Sequence, residues 1–503
     1  MNRDARNSES SHEGDTISRN AVFAFAAQMS TAAFTAVLTV FLTRQLGPAG
    51  FGTFALAVSV TGLVLRPAAG GTTQAAARFI AERHGDVTAV TGVLGMALRT
   101  RLLTASAIAV ALFALAGPIS DLYNAPELAW PLRGAAIAFF GQSLLLFARS
   151  VFSALRRTSQ TFSLVISESA VEFTASITLV LISSSATSAA FGRAVGYVFG
   201  AVLGVILLGR LLGTSPLFRA GRSPVGRREF MRYAGAMLIV SGAGSLFSYL
   251  DTLLIGAFLS TTAVGIYAAP LRLTAFVGYP ASALAQGVAP RMARHPDEPP
   301  RLAALERAIG YIVMLQAGVV AFLGVWADPI VRLTLGSEFS ESAEVIRALT
   351  PFVLLASVTS LLSSPLDYAG EGRRRIPIVI AAVVLNAGID VVLIPEMGIL
   401  GAAIGTDVAY TVYAGSHLWV CHRVLGLPLK PLATTAARAL LAAGVMAAIL
   451  ALVGTESLSA LEWLVGLPVA GAAFVATLLV TRALSQREIR ALIRFPAKAF
   501  RGG

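Results

Sequence analysis

The chain has 503 residues, of which 56% are apolar and 13% are charged, and its mean hydropathy is +0.74. A soluble globular protein carries about 25% charged residues, so this composition excludes an ordinary soluble enzyme or binding module. The net charge of +12 is better explained by arginine-rich cytoplasmic loops of a membrane protein than by nucleic-acid binding. The one cysteine, Cys421, excludes an intrachain disulfide and a thiol metal site.

Apolar segments of membrane-spanning length follow a polar tail at residues 1–17, which has no apolar core and therefore predicts no cleavable signal peptide. A bilayer core of about 30 Å needs about 20 apolar residues as a helix. The sequence predicts an all-α polytopic membrane protein with about fourteen transmembrane helices. They are expected at 18–43, 51–77, 98–118, 130–154, 161–183, 188–212, 231–258, 263–289, 308–334, 345–368, 376–395, 399–421, 434–454 and 461–482.

Lysine and arginine predict the orientation of these segments. Of the 39 basic residues, 31 fall at alternate connections, the group at 78–101 among them, and the turns between carry acids such as Glu338. Cytoplasmic loops carry the excess of basic residues. We therefore predict a protein of the cell membrane with both termini in the cytoplasm and a basic cytoplasmic tail at 483–503. Within that tail, residues 485–501 alternate basic and apolar side chains, which predicts an interfacial helix.

A repeated pattern divides the chain. Gly52 and Gly265 begin similar Gly-x-aromatic-Ala motifs 213 residues apart, and each is followed 26 residues later by an arginine, Arg78 or Arg291. An ordered repeat of this kind indicates two halves built on one plan. We expect a first lobe at 18–212, a cytoplasmic linker at 213–230, a second lobe at 231–425 and two further helices within 432–482.

The sixth segment carries glycine at every fourth position, at Gly192, Gly196, Gly200 and Gly204. Such a bare stripe lets a neighbouring helix approach closely. We interpret it as a packing surface and not as a functional site.

Arginines inside the predicted helices are the candidate binding residues. Arg272 lies 7 residues after Gly265 and Arg66 lies 14 after Gly52, which places them about 10 and about 21 Å along their helices. Charges within membrane helices usually face a polar interior. If both arginines face one cavity, they form a substrate site with contacts at two depths. Alternatively, each arginine neutralises a structural acid.

Arg149 is the third candidate. Glu168 and Glu172 follow in the next segment, four residues apart and therefore on one helix face, with Glu168 at a depth similar to that of Arg149. A structural ion pair and a substrate-binding role both remain open for this arginine.

Three carboxylates lie in the outer half of the predicted membrane region: Asp251, Asp390 and Asp407. A buried carboxylate can take up a proton or, with Asn386 nearby, bind a cation, so these four residues are ion-coupling candidates. Each acid is equally well explained as the partner of a cavity arginine. No cofactor or metal is expected, and coupling to protons or to sodium is left open.

Catalytic motifs are absent: the sequence contains no Gly-x-Ser-x-Gly, no phosphate-binding loop and no His-Glu-x-x-His. A membrane glycan polymerase or ligase needs a long external loop, whereas the longest external turn here has about a dozen residues. The prediction is therefore a transporter and not an enzyme.

Several motifs resemble one family, in order over about residues 18–425. The segments Leu46–Ala55 with Ala75–Glu82, Tyr249–Gly256 with Val264–Tyr267, and Leu385–Ala387 with Leu393–Pro395 and Gly398–Thr406 resemble the polysaccharide biosynthesis flippases of the multidrug/oligosaccharidyl-lipid/polysaccharide exporter superfamily.

The resemblance implies two six-helix lobes around a central cavity, two additional C-terminal helices and transport by alternating access. It also implies a lipid-diphosphate-linked oligosaccharide as substrate, with membrane lipids and polysaccharide assembly proteins as partners and no nucleic acid. A cationic cavity is usual in that family, which fits Arg66 and Arg272, whereas an acid at Asp407 departs from its pattern. The alternatives are a drug or metabolite exporter of the same fold and a flippase for the peptidoglycan lipid precursor.

Overall fold

The structure is a computed structural model that describes residues 4–83, 85–212, 225–288 and 299–484. These residues form α-helices and short 3-10 turns, and none of them lies in a strand. The all-α prediction is confirmed. The predicted tail helix at 485–501 and most of the predicted linker at 213–230 lie outside the described residues, as does Arg291.

The helices follow the predicted segments closely. In chain order they are α1 (Asp4–Ala81), α2 (Val87–Ala114), α3 (Ala116–Leu122), α4 (Ala129–Ala154), α5 (Thr158–Ile182), α6 (Ala186–Leu212), α7 (Arg227–Phe258), α8 (Thr261–Thr274), α9 (Tyr279–Val288), α10 (Pro299–Val325), α11 (Ala327–Thr334), α12 (Ser342–Ala348), α13 (Thr350–Tyr368), α14 (Arg375–Met397), α15 (Ile399–Leu425), α16 (Leu429–Val453) and α17 (Ala460–Val480).

Within the described part of the chain, nine helices are long and apolar enough to cross a membrane, or ten if the bent pair α12 and α13 counts as one span. This establishes a multi-span membrane protein, and the count of fourteen stays a prediction. One reason for the difference is α1, which contains two predicted segments. Its Gly47 has a φ of 63° and a non-helical ψ, a left-handed conformation that glycine adopts without steric cost, and Pro48 follows it.

The start of α2 corrects the sequence analysis. The third segment was predicted to begin at residue 98, but α2 begins at Val87, where the carboxylate of Asp86 accepts a hydrogen bond from the Ala89 amide at 2.9 Å. This N-cap satisfies one of the free amides at the helix start. Arg99 and Arg101 therefore lie well inside α2 and not in the connection that precedes it.

Two compact units make up the fold. The first is Met1–Leu273 with Asp390–Ile399, and the second is Thr274–Ile389 with Leu400–Gly503. The division falls within the predicted eighth segment, which the structure breaks into α8, a 3-10 turn at Ala275–Gly278 and α9. These units do not coincide with the predicted lobes at 18–212 and 231–425, which stay a prediction.

In the first unit, α1 packs against α2, α4, α5 and α7, and α6 packs against α4 and α5. The side chains of Leu56, Leu98, Phe139 and Phe152 are among those fully buried here.

In the second unit, α10 packs against α13 and α16, and α16 packs against α17. The buried Trp326 stands edge-to-face with Trp463 at 4.8 Å and donates a hydrogen bond to the Leu450 carbonyl at 3.2 Å. The two C-terminal helices thereby join the core of this unit. Elsewhere they carry exposed apolar side chains, such as Leu452 and Leu464, as helices that face lipid do.

The repeated glycines meet each other in the first unit. A Cβ built on Gly52 would lie 1.7 Å from the Thr261 carbonyl oxygen, and one built on Gly265 would lie 2.0 Å from the Pro48 carbonyl oxygen. Pro48 and Thr261 are separated by the same 213 residues as the two glycines. The contact is therefore reciprocal, as it would be around a local two-fold axis, and it places the two glycines at one level.

Candidate functional site

Arg272 lies near the end of α8, within the first unit. Its guanidinium carbon is 5.4 Å from the ring centre of Phe51 and 5.0 Å from that of Phe54, two buried aromatic residues of α1. Among the described residues, no carboxylate pairs with this guanidinium and no group accepts a hydrogen bond from it. The ring faces attract the cation, but the N–H groups in the plane of the guanidinium remain available to a ligand.

Asp251 is not the ion-pair partner of Arg272 in this arrangement. The Tyr267 hydroxyl donates a hydrogen bond of 2.6 Å to the Asp251 carboxylate. The interpretation that Arg272 neutralises Asp251 therefore finds no ion pair in the described part of the chain, and the aromatic faces of Phe51 and Phe54 hold the arginine instead.

A partly exposed ion pair lies near Arg272. Arg193 of α6 donates through Nη1 to the Glu172 carboxylate of α5 at 2.7 Å, and its guanidinium carbon is 4.7 Å from the Tyr197 ring centre. Gln142 of α4 donates a hydrogen bond of 3.2 Å to the Tyr197 hydroxyl. Arg272 is close enough to Arg193, Glu172 and Tyr197 to interact electrostatically with each of them. We call Arg149, Glu168, Glu172, Arg193, Tyr197 and Arg272 the charge cluster.

The glycine stripe of α6 positions the acids of this cluster. A Cβ on Gly192 would meet Ser176 at 2.4 Å, one on Gly196 would meet Glu172 at 2.4 Å, and one on Gly200 would meet Glu168 at 2.8 Å. Both helices use a spacing of four residues, so these three glycines of α6 each face one member of the polar row on α5, whereas a Cβ on Gly204 would first meet Ala148 of α4 at 2.8 Å. The packing interpretation of the stripe agrees with these contacts. The close approach also brings Glu172 to Arg193, which stands one residue after Gly192.

Arg149 of α4 joins the same cluster. It interacts electrostatically with Glu168 and Tyr197. Glu168 is buried, accepts a hydrogen bond of 3.3 Å from the Ser169 hydroxyl and lies beside Glu172. The structure thus brings Arg149 together with the two glutamates, as the depth argument expected. The close ion pair, however, is formed by Glu172 and Arg193, and Arg193 was not among the candidates named from the sequence.

Arg66 is an exposed residue of α1, and its Nη1 is 3.4 Å from the Ser248 hydroxyl of α7. Because Gly52 and Gly265 lie at one level, the spacings along the helices place Arg66 about 10 Å further from that level than Arg272. The structure does not show a shared contact between the two arginines.

Three ion-coupling candidates are fully or partly buried. Asn386 and Asp390 stand one turn apart on α14 and are fully buried, Asp390 in the first unit and Asn386 in the second. Asp407 of α15 is half-buried, and it accepts a hydrogen bond of 2.9 Å from the Phe352 amide. This amide belongs to the first turn of α13, where amides lack partners within the helix. Asp407 therefore caps α13, a role that the sequence analysis did not consider.

Arg101 is the fully buried arginine that the sequence analysis overlooked. Its guanidinium donates to the backbone carbonyls of Ala68 and Ser143 and to the Thr72 hydroxyl. It thereby joins α2 to α1 and α4. In contrast to Arg272, its donors are occupied by the protein itself, so it has a structural role.

Comparison with known families identifies the chain. The family described as "Polysaccharide biosynthesis protein" matches residues 17–295, which include every member of the charge cluster. The chain belongs to this family. The resemblance found in the sequence is confirmed.

One curated relative of the chain is the probable low-salt glycan biosynthesis flippase Agl15 of Haloferax volcanii. It is 26% identical over 237 residues, which are 46% of this chain and 50% of the relative. The chain thus matches about half the length of this curated relative.

Solved structures match the fold over most of the chain. The lipid II flippase MurJ in an inward closed conformation has a TM-score of 0.70 at 13% identity. Its alignment covers 94% of this chain and 100% of the MurJ chain. An inward-facing multidrug resistance MATE family transporter of the MOP superfamily has a TM-score of 0.60 at 18% identity and covers 81% of this chain and 95% of its own. The chain therefore shares the fold of these two proteins.

Proposed function

We propose that this protein is a flippase that moves a lipid-diphosphate-linked oligosaccharide across the cell membrane by alternating access. The observation that carries the proposal is Arg272, a membrane-helix arginine that lies over two aromatic rings of α1 without an anionic partner among the described residues. Arginine pairs with phosphate through two parallel hydrogen bonds. The relative named as a glycan biosynthesis flippase supports the same substrate class.

The charge of the cluster argues against a carrier of cationic drugs. Three arginines, Arg149, Arg193 and Arg272, face two glutamates, Glu168 and Glu172. A carrier of cations would place an excess of acids at its site, whereas this site has an excess of bases. An anionic headgroup suits it better, and Arg66 would meet that headgroup at the second depth.

The proposal extends to topology and energy coupling. Both termini lie in the cytoplasm, and a thiol introduced at the exposed Ser340 is expected to react with a membrane-impermeant reagent added outside the cell. Asp251 and Asp390, with Asn386 and Asp407, are the groups through which a proton or sodium gradient would act. The protein works as a transporter without a catalytic step, together with membrane lipids and polysaccharide assembly proteins.

Substitution of Arg272 tests the proposal. Loss of one charge-assisted contact to phosphate costs roughly 2–3 kcal/mol, which is about 30- to 150-fold in affinity. We expect Arg272→Ala to abolish glycan export in cells while the protein level stays near normal. Arg272→Lys should recover only part of the export, because lysine keeps the charge and loses the planar donor geometry.

A matched control is Arg133→Ala. Arg133 of α4 likewise lies over two aromatic rings. Its guanidinium carbon is 5.7 Å from the ring centre of Phe113 and 4.5 Å from that of Trp130, and it lies outside the charge cluster. Export should survive this change. Normal export by Arg272→Ala would refute the role of Arg272. A loss of folded protein that is equal in both variants would instead point to a structural effect of removing a stacked arginine.

A further inference from the structure

The ion pair of Arg193 and Glu172 leaves much of the arginine's binding capacity unused. Only Nη1 of Arg193 has a hydrogen-bond acceptor among the described residues, and that acceptor is Glu172 at 2.7 Å. The Tyr197 ring covers one face of the guanidinium. The side chains of Arg193 and Glu172 are 21% and 13% exposed, so a ligand can reach the pair.

Glu172 lies within the field of a second arginine. Arg272 interacts electrostatically with both Glu172 and Arg193. One carboxylate therefore stands near two guanidinium groups, and the three groups together carry an excess of positive charge. In a weakly polar environment such an excess favours an additional anion.

We propose that Arg193 is a further diphosphate-binding arginine. In the empty site the Glu172 carboxylate pairs with Arg193, and the arriving diphosphate displaces this carboxylate. This inference rests on the proposed function. A diphosphate offers more acceptor oxygens and more negative charge than one carboxylate, so it competes with Glu172 for the N–H groups of Arg193 and is also attracted by the charge of Arg272. The displaced Glu172 remains beside Glu168, which interacts electrostatically with Arg149.

Glu172 would also limit how tightly the diphosphate binds. The glycine stripe holds its backbone against α6, so the displaced carboxylate stays within the reach of its own side chain and repels the bound phosphate. A carrier has to release its substrate on the other side, and binding that is too tight would slow this step. Glu172 is thus a competitor for Arg193 when the site is empty and a driver of release when it is occupied.

The test measures the affinity of the purified full-length protein in detergent for farnesyl diphosphate, a short polyprenyl diphosphate. Glu172→Gln keeps the size of the side chain and removes the competing charge, so it should tighten binding about tenfold. Arg193→Gln should weaken binding by about tenfold or more, and Arg193→Lys should weaken it less. The control Glu82→Gln removes an exposed acid that pairs with Arg78 at 2.8 Å and should change nothing.

The direction of the Glu172→Gln effect decides the matter. A purely structural ion pair predicts unchanged or weaker binding together with a lower melting temperature, and this result would overturn the proposal even if Arg193→Gln fails to fold. If Arg272→Ala removes binding while Glu172→Gln leaves the affinity unchanged, the proposed function stands and this inference fails. If the unmodified protein does not bind farnesyl diphosphate, both fail.

Discussion

Arg101 and Arg272, two arginines inside helices of the first unit, have different surroundings. Arg101 gives its hydrogen bonds to backbone carbonyls and a hydroxyl, whereas Arg272 rests on aromatic faces. A donor already satisfied by the protein gains little from a ligand. A guanidinium whose N–H groups lack acceptors gains a charge-assisted hydrogen bond when phosphate arrives.

Arg101 should therefore matter for stability and not for substrate binding. Arg101→Gln leaves the Ser143 carbonyl and the Thr72 hydroxyl without their common donor, and hydrogen bonds of charged groups contribute about 1.5–3 kcal/mol each. We expect a clear drop in the melting temperature. The single cysteine provides the readout, because Cys421 is buried and reacts with a thiol dye only when the protein unfolds.

The surviving folded fraction of Arg101→Gln should bind farnesyl diphosphate with unchanged affinity. A variant of normal stability that has lost binding would contradict the structural role assigned to Arg101.

The sequence indicated some of these residues and not others, for physical reasons. Arg272 and Arg66 were found because a charge stands out in an apolar segment. Arg101 was missed because the apolar signal of α2 begins weakly and the N-cap at Asp86 was not used to locate its start. Arg193 was not singled out because its partner, Glu172, is on another helix, and that contact depends on how α5 and α6 pack.

At the scale of the helices, apolar length and glycine spacing predicted most of what the structure shows. The predicted segments fall on helices, and the stripe on α6 packs as expected. The 3-10 turn at Ala275–Gly278 was not predicted, because that stretch is as apolar as its neighbours. Pro280, which follows two residues later, lacks the amide that would continue the hydrogen-bond ladder into the turn and was the available signal.

The glycine stripe allows a graded prediction. A Cβ on Gly196 would meet the Glu172 backbone, with its Cα at 2.6 Å, whereas a Cβ on Gly200 would first meet the Glu168 side chain, with its Cγ at 2.8 Å. Backbone atoms yield less easily than side chains, so Gly196→Ala should lower the melting temperature more than Gly200→Ala. Gly200→Leu should reduce the amount of folded protein.

Gly444→Ala on α16 is the matched control. A Cβ at Gly444 would meet nothing within 4 Å, and alanine is favoured over glycine inside a helix by roughly 0.5–1 kcal/mol. The melting temperature should stay the same or rise. If Gly196→Ala is as stable as Gly444→Ala, the stripe does not form the close contact with α5.

At the scale of the whole molecule, the reciprocal contact of Gly52 and Gly265 reflects the repeat in the sequence. Two segments separated by 213 residues approach each other through equivalent atoms, as a duplicated plan would produce. The motif spacing predicted the duplication. It did not predict that the equivalent glycines touch, because contacts near a symmetry axis depend on the packing of the two halves.

The central claim is that a lipid with a diphosphate-linked glycan crosses the membrane through this protein by way of Arg272. Transport of a fluorescent lipid-diphosphate oligosaccharide in liposomes, read by quenching of the label on the outer leaflet, tests it most directly. The unmodified protein and Arg133→Ala should move this lipid, and neither should move a labelled phospholipid that lacks a diphosphate. Arg272→Ala should move neither lipid. Equal movement of both lipids by the unmodified protein, or normal movement of the glycan lipid by Arg272→Ala, would contradict the account.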